Sequence, residues 1–112
     1  MATGKPPNAL LHDTLDALIL KTLAAGPRHG YGIATFIEDA SDEAVLVEEG
    51  SLYPALYRLE HRRWVDAEWG MSELGRRAKF YRLTRQGRMQ LAAETAAWRQ
   101  FVAGVSKILL AQ

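Results

Sequence analysis

Two stretches of the chain carry residues that could do chemistry. The first, "RRAKFYRLTRQGR" at residues 76–88, holds six cations and no carboxylate. A solvated face normally mixes signs, so such a run points to contact with a polyanion ahead of a merely solubilising surface. The second, "SLYPALYRLEHRR" at residues 51–63, gathers two tyrosines, a histidine and three arginines. Wound as a helix at about 100° per residue, it puts Leu52, Ala55, Leu56 and Leu59 on one side. Tyr53, Pro54, Tyr57, Arg58 and His61 then share the other side, with Arg62 at the flank. Phenol and guanidinium groups on an outward helix face can contact phosphates and base edges when the helix lies in the major groove. A surface for a partner protein is the competing reading of this face. The cationic run downstream favours DNA.

Catalysis has no comparable support. His12, His29 and His61 fall on three different elements, and no pair has the helical spacing of a metal site. The segment "GPRHGYG" lacks both the lysine and the preceding strand of a phosphate-binding loop, and Ser106 beside Lys107 sits on a long helix rather than in a pocket. The chain has no cysteine, which removes disulfides, thiolate ligands and thiol nucleophiles. Neither an enzyme, a metal protein nor a cofactor protein is expected.

The elements that must position these residues can be read from periodicity. Residues 1–9 contain Gly4, Pro6 and Pro7 and read as a flexible arm. From Asp13 the pattern is helical, with Leu15, Leu18, Ile19 and Leu23 on one face, until Gly26 and Pro27 stop it. A short second helix in "YGIATFIEDAS" turns Ile33, Phe36, Ile37 and Ala40 to one side, and "DEAVLVEEG" is a connector or a short strand. Taking Ser51 as N-cap of the third helix puts Pro54 at its third position, where a missing amide costs little. After Trp64 the period falls to two. "WVDAEWG" and "KFYRLT" read as the strands of a hairpin joined by a loop of about eight residues, "GMSELGRR". Thr84 can cap a last helix reaching about Leu110, roughly 40 Å at 1.5 Å per residue. Three short helices, a hairpin and a long helix follow the order of a winged helix-turn-helix with a C-terminal extension.

The whole chain fits this reading. At 112 residues it allows one modest core, and 48% hydrophobic with 24% charged residues is an ordinary globular balance. No apolar run is long enough to cross a membrane and the N-terminus lacks the apolar core of a secretion signal, so a cytoplasmic location is expected. The net charge of +1 hides an asymmetry: residues 1–47 carry three Lys/Arg against six Asp/Glu, and residues 48–90 carry nine against six.

Over residues 10–110 the sequence resembles the PadR-like winged-helix transcriptional regulators, of the short type with one C-terminal helix. The resemblance rests on "LDALILKTLAAGPRHGYGI", "EEGSLYPALYRLEHRRWV" and "RRAKFYRLTRQGRMQL" at these separations. It implies a homodimer on double-stranded operator DNA, usually a repressor, which in some members is released by phenolic or multidrug-type aromatic compounds. Carried over by position, the DNA-contacting segment becomes Ser51, Tyr53, Pro54, Tyr57 and Arg58. Arg76, Arg77 and Lys79 match the basic wing, and Tyr31 opens the second helix, where its hydroxyl and the nearby amides can hold a phosphate. His61 and Arg62 occupy positions that vary in the family, so the operator sequence does not follow. Glu73 interrupts the basic tip.

The last helix argues separately for self-association. Leu91, Thr95, Trp98, Val102, Val105 and Leu109 recur at alternating steps of four and three, with Phe101 and Ile108 widening the stripe. Such a stripe left bare would be an aggregation hazard, so a second chain is the expected cover. Trp98 is either an anchor of that interface or, as the resemblance implies, part of a cavity for a planar aromatic ligand, with Leu15, Leu18, Ile19 and Phe101 completing the wall. The expected organisation is therefore a mainly α fold with a small β-hairpin. Residues 1–9 form the arm, 10–83 a winged helix-turn-helix that binds DNA, and 84–112 a dimerisation helix. A winged module that binds protein rather than DNA is the alternative.

Overall fold

A computed structural model describes the backbone of residues 9–112 and the side chains from Thr14 onward. The expected arm at residues 1–9 and the side chain of His12 lie outside the described residues, except that Ala9 already belongs to the first helix. The elements are α1 (Ala9–Ala24), β1 (Arg28–His29), α2 (Gly30–Ala40), α3 (Glu49–His61), β2 (Val65–Met71), β3 (Arg77–Leu83) and α4 (Arg85–Leu109). The α+β winged helix-turn-helix read from the sequence is the observed architecture. Helix α1 starts four residues ahead of the expected Asp13.

The core lies where the inward faces of α1, α2 and α3 meet the base of the sheet. Ile19, Ile33, Ala55 and Leu59 have no exposed surface, and Leu20, Leu23, Leu56, Val65 and Tyr81 close around them. Thr22 is the buried polar residue of this cluster, and its hydroxyl donates to the Leu18 carbonyl at 2.8 Å, so no polar group is stranded there. Phe36 is only half-buried, with the Arg28 guanidinium 4.4 Å from its ring centre, and Ala40 is exposed. The segment after α2 is a connector. Asp42 and Glu43 adopt φ of 53° and 65°, and the Val47 amide donates to the Glu38 carboxylate at 3.0 Å. Val45 and Val47 lean on the core from it while Leu46 stays exposed.

Two local expectations are corrected. Ser51 is not the N-cap of α3: Glu48 holds that position without a side-chain hydrogen bond, and its carbonyl accepts from both Ser51 and Leu52 at 3.0 and 2.9 Å. Pro54 thus lies inside the helix, with no amide to offer the Gly50 carbonyl one turn back. The hairpin loop is also shorter than expected. The strands zip from Val65↔Leu83 out to Met71↔Arg77, leaving residues 72–76 as the turn. The Ser72 amide donates to the Arg76 carbonyl at 2.8 Å and Gly75 supplies a φ of 73°, which closes that turn tightly.

A third strand escaped the periodicity. Arg28 and His29, just past the stop at Gly26, pair antiparallel with Tyr81 and Phe80, giving the sheet order β1-β3-β2. Two residues are too few to show alternation. His29 then caps α2, its Nδ1 accepting from the Gly32 amide at 3.0 Å.

Helix α4 is locked to the sheet at its first turn. Thr84 donates its amide to the Trp64 carbonyl at 3.0 Å and accepts from the Gly87 amide at 3.0 Å. Gly87 is buried so closely that a Cβ there would overlap the Trp64 carbonyl oxygen. From this anchored turn α4 runs for 25 residues in all, in a molecule measuring 54 × 28 × 24 Å.

Candidate nucleic-acid interface

Helix α3 presents the tyrosine face that its sequence implies. Leu52, Ala55, Leu56 and Leu59 are buried beneath it, while Tyr57 is 71% and Tyr53 47% exposed. Tyr57 stacks on His61, one turn along, with ring centres 6.2 Å apart and planes 11° apart. Pro54 is exposed, Ser51 half-buried, and Arg62 exposed with its guanidinium 5.0 Å from the Trp64 ring centre. Tyr53 is less free than its position suggests. Its ring lies over the start of α2, where a Cβ added to Gly30 would come within 2.7 Å of the phenol oxygen.

Arg58 departs from the outward placement expected for it. It is half-buried and donates to Asp16 of α1 at 2.8 Å, so it clamps α3 to α1. Lys79 is similarly committed, donating to Glu60 at the end of α3 at 3.1 Å with its ammonium 5.7 Å from the Tyr81 ring centre. Burial pushes the Tyr81 phenol up from its ordinary value. Arg82 lies across the sheet and bridges Asp66 at 3.0 Å and Glu68 at 3.1 Å. The run that is free of acid in the sequence is therefore partly neutralised in space. Among the described residues, Arg76, Arg77, Arg85 and Arg88 carry no ion pair, and all four are exposed.

Glu73, the carboxylate at the wing tip, lies 3.4 Å from Nε2 of His29. Its own backbone amide first, and then the histidine, hold its carboxyl below the usual range. The same histidine thus joins the cap of α2 to the wing. Tyr31, on the first turn of α2, is 73% exposed and partly stacked on His29 with ring centres 6.5 Å apart. A cleft between the wing and the starts of α2 and α3 brings together Tyr31, Tyr53, Trp69, Arg76, Arg77 and Lys79. Ser51, Pro54, Tyr57, Arg58 and Arg62 stand along α3 outside this cleft. His29 and Trp69 were missed by the sequence reading, although "VDAEWG" puts Trp69 on the face of the strand that carries buried Val65.

The expected ligand wall is corrected in part. Ile19 has no exposed surface and Leu15 is 7% exposed, so both belong to the core and cannot line a cavity in this chain. Leu18 sits at the core margin. Trp98 and Phe101 are about half exposed, with ring centres 6.1 Å apart. Of the α4 stripe, Leu91 packs on the chain's own core and Val105 is half-buried, while Thr95, Trp98, Val102 and Leu109 are exposed. Among the described residues no cluster could hold a metal ion, and no helix is long and apolar enough to cross a membrane.

Known proteins share both the sequence pattern and this architecture. A transcriptional regulator from Clostridium thermocellum is 27% identical, with a TM-score of 0.81 over 89% of this chain and 97% of that one. A PadR-like transcriptional regulator from Bacillus cereus is 26% identical, with a TM-score of 0.77 over 92% and 98%. A PadR family regulator from Clostridium difficile is 30% identical, with a TM-score of 0.70 over 86% and 97%. A protein from Lysinibacillus sphaericus is 28% identical over 91 residues, 81% of this chain and 84% of its own length. The model of the transcriptional regulator PadR-like family matches residues 19–93. The chain belongs to the PadR-like family of transcriptional regulators.

Proposed function

We propose that this regulator is a homodimeric repressor that binds operator DNA in the cytoplasm. The observation that carries the reading is the gathering in one cleft of Tyr53 of α3, Tyr31 at the start of α2 and the wing arginines Arg76 and Arg77, with Tyr57 exposed further along α3. Helix α3 enters the major groove, where Tyr53, Tyr57, His61 and Arg62 reach base edges and phosphates. Tyr31 and the first amides of α2 hold a backbone phosphate, and Arg76 and Arg77 take the wing to the next stretch of backbone. Ser51 and Pro54 line the approach, whereas Arg58 and Lys79 act mainly by holding α3 at its angle.

The dimer is supported by the outer half of α4. Trp98 at 50%, Phe101 at 45% and Ile108 at 78% exposure make an apolar stripe that nothing among the described residues covers. Thr95, Val102, Val105 and Leu109 continue the seam, and Leu91 begins it at the core margin. Two such helices crossing would hold two reading heads on a two-fold related site. A small planar aromatic ligand between Trp98 and Phe101 of the two chains, with Leu18 at the edge, would shift the heads and release DNA. Titration with planar aromatics tests this ligand step, since quenching of tryptophan emission is expected and no quenching across a diverse panel removes it.

The DNA reading is tested by gel shift on the region upstream of the protein's own gene at increasing salt. Log affinity should fall linearly with log salt, with a slope set by several phosphate contacts. Salt-insensitive or undetectable binding refutes it and leaves a winged module that binds protein.

A further inference from the structure

The exposed cations of the wing are not equivalent. Lys79 is held by Glu60, and Arg82 points to the opposite sheet face between Asp66 and Glu68. Arg76 lies in the turn without a stacking partner among the described residues. Arg77 alone of the tip arginines is ordered by a neighbour, its guanidinium carbon 4.6 Å from the centre of the Trp69 ring. The strand register explains how they meet. Trp69 pairs with Lys79 and Met71 with Arg77, so Trp69 and Arg77 are diagonal neighbours on one face of the hairpin.

That face is the one turned toward the helices. Further down, the same alternation supplies Val65, which is buried, and Ala67, which packs at the core margin. Trp69 continues the series past the end of the core and remains 58% exposed. Packing among the described residues gives no reason for an indole of this size at that point. With Arg77 it lines the cleft whose far side is Tyr31 and Tyr53.

We propose, resting on the DNA reading above, that Trp69 is a positioning residue for DNA binding, and that its indole pre-orders Arg77 as the wing's phosphate-holding fork. An arginine stacked face-on to a ring keeps the N–H edges of its guanidinium free, so the stack and a phosphate are bound at the same time. A free arginine loses side-chain entropy when it grips a phosphate, and the stack removes part of that loss before DNA arrives. In the DNA reading above, this cleft lies between α3 in one groove and the wing at the next, so its lining meets the backbone between them. Arg77 is thus presented to the strand that joins the two contacts.

A double-mutant cycle on the intact dimer tests this. Trp69→Ala should weaken operator binding about fivefold to tenfold at fixed salt. Arg77→Ala should weaken it at least as much and lower the salt slope by about one. The double variant should be no weaker than Arg77→Ala, and Trp69→Phe should retain most of the affinity because a ring remains. Trp69→Leu keeps apolar bulk without a π face, so it should fold normally and still lose affinity about fivefold to tenfold, whether or not Trp69→Ala folds poorly. Additive losses, or full affinity in Trp69→Leu, would overturn the positioning role while leaving the DNA reading intact. A wild-type protein without salt-sensitive DNA binding would instead overturn the DNA reading and this inference with it.

Discussion

The Arg58 guanidinium donates to Asp16 across the contact between α1 and α3, at 2.8 Å. Replacing Arg58 with alanine therefore loses an ion pair as well as a surface charge. Because the arginine side chain is 36% exposed, the expected loss of stability is about 1 kcal/mol or less, a drop of a few degrees in melting temperature. Tyr57→Ala should leave melting unchanged and weaken operator binding, so thermal melts and gel shifts on the two variants separate a clamp from a reader. Gly30→Ala makes a different prediction. The new Cβ would fall 2.7 Å from the Tyr53 phenol oxygen, the far end of a side chain that can swing away. DNA affinity should fall several-fold with a smaller effect on melting, and Tyr53→Phe in the same background should add little. Which side of α3 faced outward was legible in its 3.6-residue period. That Arg58 is claimed by a residue 42 positions away, and Tyr53 by Gly30, was not, because neither contact lies within one element.

Among the elements, α3 carries the sharpest local conflict. Pro54 sits inside it, exposed, with no packing that would offset the lost hydrogen bond to the Gly50 carbonyl. Pro54→Ala should raise stability, by up to about 3 kcal/mol if Pro54 carries the full interior penalty and less because it lies near the helix start. Denaturant unfolding measures the gain, and an unchanged midpoint would mean that the helix start is already strained elsewhere. Thr84→Ala works in the opposite sense. It removes the cap of α4 and the hydroxyl hydrogen bond shared between the carbonyls of Arg63 and Trp64, at 2.8 and 3.0 Å. A loss of about 1–2 kcal/mol is expected in the same assay. The long elements announced themselves through their periods and through Thr84. The two-residue β1, the true start of α3 and the five-residue turn did not, since each is fixed by pairing or a backbone carbonyl rather than by a side-chain pattern.

For the molecule as a whole, charge and the long helix decide behaviour. The basic character of residues 76–88 was plain in the sequence, yet the folded surface delivers fewer free cations, because Glu60, Asp66 and Glu68 come from strands and helices outside that run. The measured salt slope should accordingly be smaller than six cations would give, with Arg76 and Arg77 as its main contributors from the wing. If the proposed dimer forms through this seam, Val102→Glu should yield a monomer in sedimentation where the unaltered chain gives a dimer, and should weaken binding to a two-fold site far more than to a half-site, since it places a charge on an exposed apolar stripe. The buried first turn of α4 has one more consequence. Gly87 is pressed onto the Trp64 carbonyl and Thr84 is tied to the same group, so helix and head share no swivel. A displacement of the first turn of α4 should therefore carry the Trp64 end of the wing with it.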